Sequence, residues 1–134
     1  MTSRELIRAN LVSTCKAIAG VGAVTYKWHT IQQIDPSAMP FIMIMSDEEE
    51  RERVSSQRVT QCAWANDVWC VLRPNDDLET WIEKVRAAIM ANRGRGQINV
   101  LDTFIELIET DDRGIASPNQ FFRMRTIVTY RMNE

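Results

Sequence analysis

Arg58-Val59-Thr60-Gln61-Cys62-Ala63-Trp64-Ala65-Asn66-Asp67-Val68-Trp69-Cys70-Val71-Leu72 alternates with a period of two. Cys62, Trp64, Val68, Cys70 and Leu72 share one side of an extended chain, and Val59, Ala63, Ala65, Trp69 and Val71 share the other. Successive side chains of a strand point to opposite faces, so this pattern predicts a long central strand, bent near Asn66-Asp67. Arg73-Pro74-Asn75-Asp76-Asp77 stops it.

Downstream, Asp76-x-x-Glu79 can cap a helix whose apolar stripe is Leu78, Ile82, Val85 and Ile89, closed by Gly94 and Gly96. Residues 97–110 read as a strand, Asp111-Asp112-Arg113-Gly114 as a turn, and 121–132 as a last strand. In that strand Phe122, Met124, Val128, Tyr130 and Met132 face one way, while Arg123, Arg125, Thr129 and Arg131 face the other. Upstream, Phe41-Ile42-Met43-Ile44-Met45 is a continuous apolar run suited to a strand buried on both faces. Residues 21–28 read as a strand and 30–40 as a polar loop. Thr2-x-x-Glu5 has the form of a capping box ahead of a helix over 3–19 with Ile7, Leu11, Cys15 and Ile18 at helical spacing. Ser46-Asp47-Glu48-Glu49-Glu50-Arg51-Glu52-Arg53 holds no apolar position before Val54, so a charged, mobile loop is expected at about 46–57, outside any core.

The order is thus α-β-β-β-α-β-β. Strands that follow strands favour an α+β fold, a mixed, mostly antiparallel sheet with two helices packed on one face. A length of 134 residues, 45% hydrophobic and 25% charged, suits a single domain over 1–134. Sixteen Lys plus Arg against eighteen Asp plus Glu give a net charge of -2, which leaves no overall positive field for autonomous or sequence-specific nucleic-acid binding. Cys15, Cys62 and Cys70 are an odd count without CxxC spacing, and two of them sit in apolar contexts suited to buried free thiols, which fits a reducing compartment. Arg8 and Asn10 interrupt the apolar run that a signal peptide needs, and Pro40 breaks the longest apolar run, so neither export nor a membrane is expected.

Catalytic chemistry is hard to place. His29, the one histidine, has no patterned Cys, Asp or Glu partner. The acids from Asp47 to Glu52 lack the alternating spacing and turn glycine of a calcium loop. Gly94-Arg95-Gly96 follows a helix, whereas nucleotide fingerprints set their glycines between a strand and a helix N-terminus. The expectation is a protein that is not an enzyme, with no cofactor and no metal. Two features remain: four tryptophans with seven methionines, most of them suited to a core, and the arginine stripe of the last strand, a solvent face or an edge that meets acids.

The helix opening Leu78-Glu79-Thr80-Trp81-Ile82-Glu83, the final strand Thr126-Ile127-Val128-Thr129-Tyr130-Arg131-Met132, the Pro40-Phe41-Ile42 strand and Val68-Trp69-Cys70-Val71-Leu72 together resemble the tail terminator proteins of long-tailed phages, nearest the lambda-like minor tail protein U family. That resemblance implies a virion structural protein at the head-proximal end of the tail, assembled in the host cytoplasm. Its copies would form a hexameric ring that ends tube growth and offers the head-attachment surface. Implied partners are the chain itself, the major tail tube protein and a head-completion or connector protein, with DNA passing through the ring. Contacts in a ring are heterologous, so acids meeting arginines would make one joint. Glu48, Glu49 and Glu50 are accordingly expected against Arg123, Arg125 or Arg131 of a neighbour. Competing readings are a head-tail joining or tail completion protein, a monomeric small-ligand-binding domain that uses Trp28 as a pocket wall, and, ranked last, a hydrolase or nuclease.

Overall fold

The computed structural model describes residues 2–30, 33–54, 59–111 and 119–133. In chain order they form helix α1 (Ser3–Lys16), strand β1 (Ala23–Thr25), a short 3-10 turn (Pro36–Ala38), β2 (Phe41–Val54), β3 (Val59–Leu72), α2 (Leu78–Met90), β4 (Val100–Asp111) and β5 (Gln120–Asn133). The strands make one sheet in the order β1-β2-β3-β5-β4. β1 runs parallel to β2 and every other pairing is antiparallel, which is the mixed α+β arrangement the sequence predicts.

Helix α1 starts where the sequence places it. The Thr2 hydroxyl accepts from the Glu5 N–H at 3.2 Å and the Glu5 carboxylate accepts from the Thr2 N–H, a full capping box. Helix α2 begins one residue later than expected, with Asp77 as its N-cap and no capping bond from the Asp77 side chain to the backbone. Asp76 instead accepts from the Arg73 N–H at 2.9 Å and tightens the preceding turn. Past the C-terminus of α2, Arg95 adopts a left-handed φ of 52° and folds its buried guanidinium back onto the carbonyl oxygens of Ile89 and Asn92. A cation thereby meets the negative end of the helix and satisfies carbonyls that have no partner within it.

Both helices lie on one face of the sheet. Ile7, Leu11 and Cys15 of α1 and Leu78, Trp81, Ile82, Val85 and Ile89 of α2 bury against Ile42, Ile44, Cys62, Trp64, Val68, Cys70, Phe122, Met124, Val128 and Tyr130. Register explains the selection: Ile42 pairs with Cys70 and Cys70 with Phe122, so one alternation carries the apolar row across three strands. Among the described residues, the opposite, outer face is covered at one end only, where Ile34 and Met39 close over Phe41, Met43 and Val71.

The largest departure from the sequence reading is residues 46–54. They are the second half of β2, paired through to Val54↔Val59, and not a loop; 55–57 lie outside the described residues. A bulge between Ser46 and Glu49 sets Asp47 and Glu48 against Ala65 alone, which shifts the alternation by one and turns Glu49 to the helix face. The bend expected in β3 near Asn66-Asp67 is this irregularity, carried by the neighbouring strand while β3 runs unbroken. Hydrophobic patterning misses such a segment because ladder hydrogen bonds ignore side chains, and here both faces hold charged residues. At the other end, the strand expected over 21–28 keeps only Ala23–Thr25, because the chain leaves the sheet to cross the outer face.

Gly22 makes that crossing possible. Its N–H donates to the Pro40 carbonyl at 2.9 Å, and a Cβ built on it would lie 2.1 Å from the Ala38 carbonyl oxygen. Gly94, by contrast, has nothing within 4 Å of a built Cβ. Gly22→Ala is therefore expected to destabilise the protein by roughly 1–3 kcal/mol through overpacking against backbone, while Gly94→Ala is expected to be neutral or to stabilise by about 0.4–1 kcal/mol. Urea unfolding of the two variants checks this, and equal midpoints would contradict the close approach at Gly22. A second measure of the core is Leu11→Ala: Leu11 is fully buried against the sheet, so a loss of about 2–5 kcal/mol is expected from the same titration.

Candidate assembly surface

The arginine stripe of β5 lies on the outer face, as its alternation predicts, and meets acids of its own chain. Arg125 reaches four carboxylates: Asp47 at 2.7 Å, Glu48 at 2.8 Å, Glu106 at 3.4 Å and Asp67 at 3.6 Å. Arg123 sits 2.9 Å from Glu109 and 3.7 Å from Asp67, with its guanidinium over the Trp69 ring. Two cations thus face five acids, an excess of three carboxylates on this part of the sheet. Burial pushes the Asp67 carboxyl up, and the attraction of Arg123 and Arg125 only partly offsets it.

The six residues expected at a subunit joint divide into three groups. Glu48 and Arg125 are brought together inside one chain. Glu49 is carried by the β2 bulge to the helix face, away from the stripe, where its side chain is only 4% exposed. There it accepts from Arg4 at 3.0 Å, from Arg51 at 2.6 Å and from the Tyr130 hydroxyl, which ties the first turn of α1 to β2 and β5. Glu50 and Arg131 stand exposed, and among the described residues neither makes an ion pair. Arg123 completes the set within the belt just described. The partners Arg4, Tyr130, Asp47, Asp67, Glu106 and Glu109 escaped the sequence reading because the bulge and the strand register that assemble them are not written in any local pattern.

Beyond the ionic belt the outer face is open among the described residues. Glu48, Glu50, Ala63, Phe104, Arg125 and Ile127 line a groove of about 240 Å³ on the sheet. Its rim is β4, an edge strand with two bulges, on which Leu101, Phe104 and Leu107 are exposed; Ile98, just before it, is fully exposed. At the covered end, Trp28 packs edge-on to Trp69 at 5.3 Å, and with Met43, Val71 and Phe121 it lines an apolar recess of about 260 Å³.

The residues considered for catalysis are placed as follows. His29 Nδ1 lies 3.1 Å from the Lys27 carbonyl oxygen and its ring meets the edge of Phe41. The three cysteines are free and buried, and burial pushes the Cys15 thiol up to about 12, far from a nucleophilic thiolate at neutral pH. Among the described residues no group of three or more His, Cys, Asp or Glu is placed to hold a metal ion, and no helix is long and apolar enough to cross a membrane.

No protein-family model matches the chain, and no curated protein sequence matches it. Among solved structures, a chain of the virion of a native gene transfer agent particle is similar with a TM-score of 0.58 at 10% identity, over 93% of this chain and 94% of that one. A protein from Akkermansia muciniphila, solved without its transmembrane region, covers 97% of this chain and 82% of its own at 11% identity, with a TM-score of 0.37. The first shows a shared fold; the second is too distant in shape to do so.

The Glu49 cluster has a defined pH signature. Burial pushes its carboxyl up, and the hydrogen bonds from Tyr130, Arg51 and Arg4 together outweigh burial and hold it below the ordinary carboxylate range. A depressed folded value means that its stabilisation is fully present above the unfolded value of about 4.3 and is lost as pH falls through the folded one. Asp67, raised in the folded state, works in the opposite sense: its ionisation costs stability above its raised value, and acid relieves that cost. Glu49→Gln is expected to lower stability at neutral pH by about 1–3 kcal/mol and to flatten the loss on acidification below about pH 4.3. Denaturant midpoints across that window check it, and parallel curves for both proteins would place the acid sensitivity elsewhere.

Proposed function

We propose that this chain is a structural subunit of a phage-like virion. In the fuller form of the reading it is a tail terminator whose copies make a hexameric ring on the head-proximal end of the tail tube, end tube growth and present the surface to which the head attaches. The observation that carries the virion reading is the α+β architecture shared, end to end, with a chain of a virion particle. The tail position rests on the resemblance of the second helix and the last strand to tail terminators. An open groove on the sheet and an edge strand paired on one side only among the described residues, with exposed apolar side chains, supply the kind of surface an assembling subunit needs. Its partners on this reading are further copies of itself, the tube protein and a head-completion protein, and we assign it no catalytic step, cofactor or metal.

A head-tail joining protein would share the fold and bind the other side of the joint. A monomeric ligand-binding domain is the reading from a different class, and the Trp28 recess favours it; at about 260 Å³ that recess falls just below the roughly 300–1,000 Å³ of usual ligand pockets. Size-exclusion chromatography with light scattering, over a concentration series with and without purified tail tubes, followed by imaging of tube ends, tests these readings. Rings at one end of each tube are expected. A protein that stays monomeric and ignores tubes would overturn the terminator reading in favour of the ligand-binding one.

A further inference from the structure

The two edges of the sheet carry opposite charge. Residues 98–111, which hold β4, contain Asp102, Glu106, Glu109 and Asp111 with no Lys or Arg. Residues 17–34, which hold β1, contain Lys27 and no acid at all, and Lys16 immediately precedes them. Five strands about 4.8 Å apart put these edges roughly 19 Å from each other, so one copy cannot cover one with the other.

Each edge also has unfinished apolar surface. Seven large hydrophobic residues are exposed among those described, and four of them, Ile98, Leu101, Phe104 and Leu107, lie on or immediately before β4. Across the sheet, Tyr26 stands exposed beside β1 and forms with Ala9 and Val12 of α1 a shallow recess of about 370 Å³. Arg8 borders that recess, its guanidinium 5.5 Å from the Tyr26 ring centre and hydrogen bonded to the Ser46 hydroxyl. Among the described residues neither Arg8 nor Lys27 has a carboxylate partner, and the one acid at the recess, Glu5, is held in the capping box. On β4, Asp102, Glu106 and Glu109 touch Arg93, Arg125 and Arg123 yet remain 40–56% exposed, free to accept a second cation.

We propose that copies of this chain join head to tail, the β4 edge of one seated against the α1–β1 edge of the next, with Phe104 and Leu101 entering the Tyr26 recess and Arg8 and Lys27 meeting the β4 acids. The proposal rests on the ring-forming reading and names its joint. Pairing β4 with β4 would oppose acid to acid, and like charges directly across a strand pair are destabilising. Only a heterologous contact satisfies both edges, and repeated heterologous contacts close a ring when their rotation allows it.

The test uses the full chain and two variants, each altered on one edge: Arg8→Glu with Lys27→Glu, and Leu101→Lys with Phe104→Lys. All four positions are surface sites, and circular dichroism verifies the fold of each variant. Sedimentation at low salt is expected to show wild type associating, each variant monomeric at the same concentration, and an equal mixture of the two variants forming dimers that grow no further, because one intact edge of each kind remains. Self-association of either variant at the wild-type level, or a mixture that stays monomeric, overturns the proposed joint while leaving the ring itself standing. A wild type that never associates, alone or on tubes, overturns the ring and the joint together. Should a double variant misfold, Lys27→Glu and Glu109→Lys, each weakening association alone and restoring it when mixed, give the same decision.

Discussion

Everything in this fold is arranged around a 14-residue strand, β3, that pairs along its whole length with β5 on one side and almost its whole length with β2 on the other. A strand so placed has no free backbone edge, and its side chains stand on two faces that both need cover or charge. The helix face answers with Trp64, Val68 and Cys70 under α1 and α2. The outer face answers in three ways along its length: an apolar lid around Val71 and Trp69, an ionic belt around Asp67, and small residues, Ala63 and Ala65, facing an open groove. Along one face of β3 the order is therefore apolar lid, ionic clamp and open groove.

The β2 bulge converts this geometry into a link between layers. Without it Glu49 would stand on the outer face, toward the arginine stripe; with it the carboxylate points into the helix layer and collects Arg4, Arg51 and Tyr130. Arg4 in turn lies over the ring of Trp64, so the start of α1, the central strand and the last strand meet at one carboxylate. Charged residues are usually spread on solvated surface; here one extra residue in a strand takes a member of an acidic run and makes it a fastening.

What could be read from the sequence, and what could not, follows from the same physics. Element order, the helix stripes, the alternation of β3 and β5 and the capping box at Thr2 are local properties, and the structure reproduces them. Residues 46–54 were invisible as a strand because their place in the sheet is secured by β3, not by their own hydrophobicity, and a bulge then scrambles whatever parity they have. The candidate surface was half visible. Alternation puts Arg123, Arg125 and Arg131 on one face, but which acids they meet is decided by register with β4 and β3. Likewise Arg95 reads as part of a glycine-flanked stop, and only the folded turn reveals that its guanidinium caps the helix.

The intrachain belt also changes what an assembly joint can be made of. A guanidinium already shared among four carboxylates, as Arg125 is, gains little from a fifth, whereas a cation with no carboxylate partner among the described residues, as Arg8 and Lys27 are, gains its first. Surface ion pairs contribute little individually, so in the proposed joint charge would select orientation and partner edge, and the apolar residues of β4 would supply the affinity. An acidic strand edge that repels its own kind but fits the opposite edge of the same molecule favours directional growth from copy to copy. That directionality is the property a closed ring of identical subunits requires.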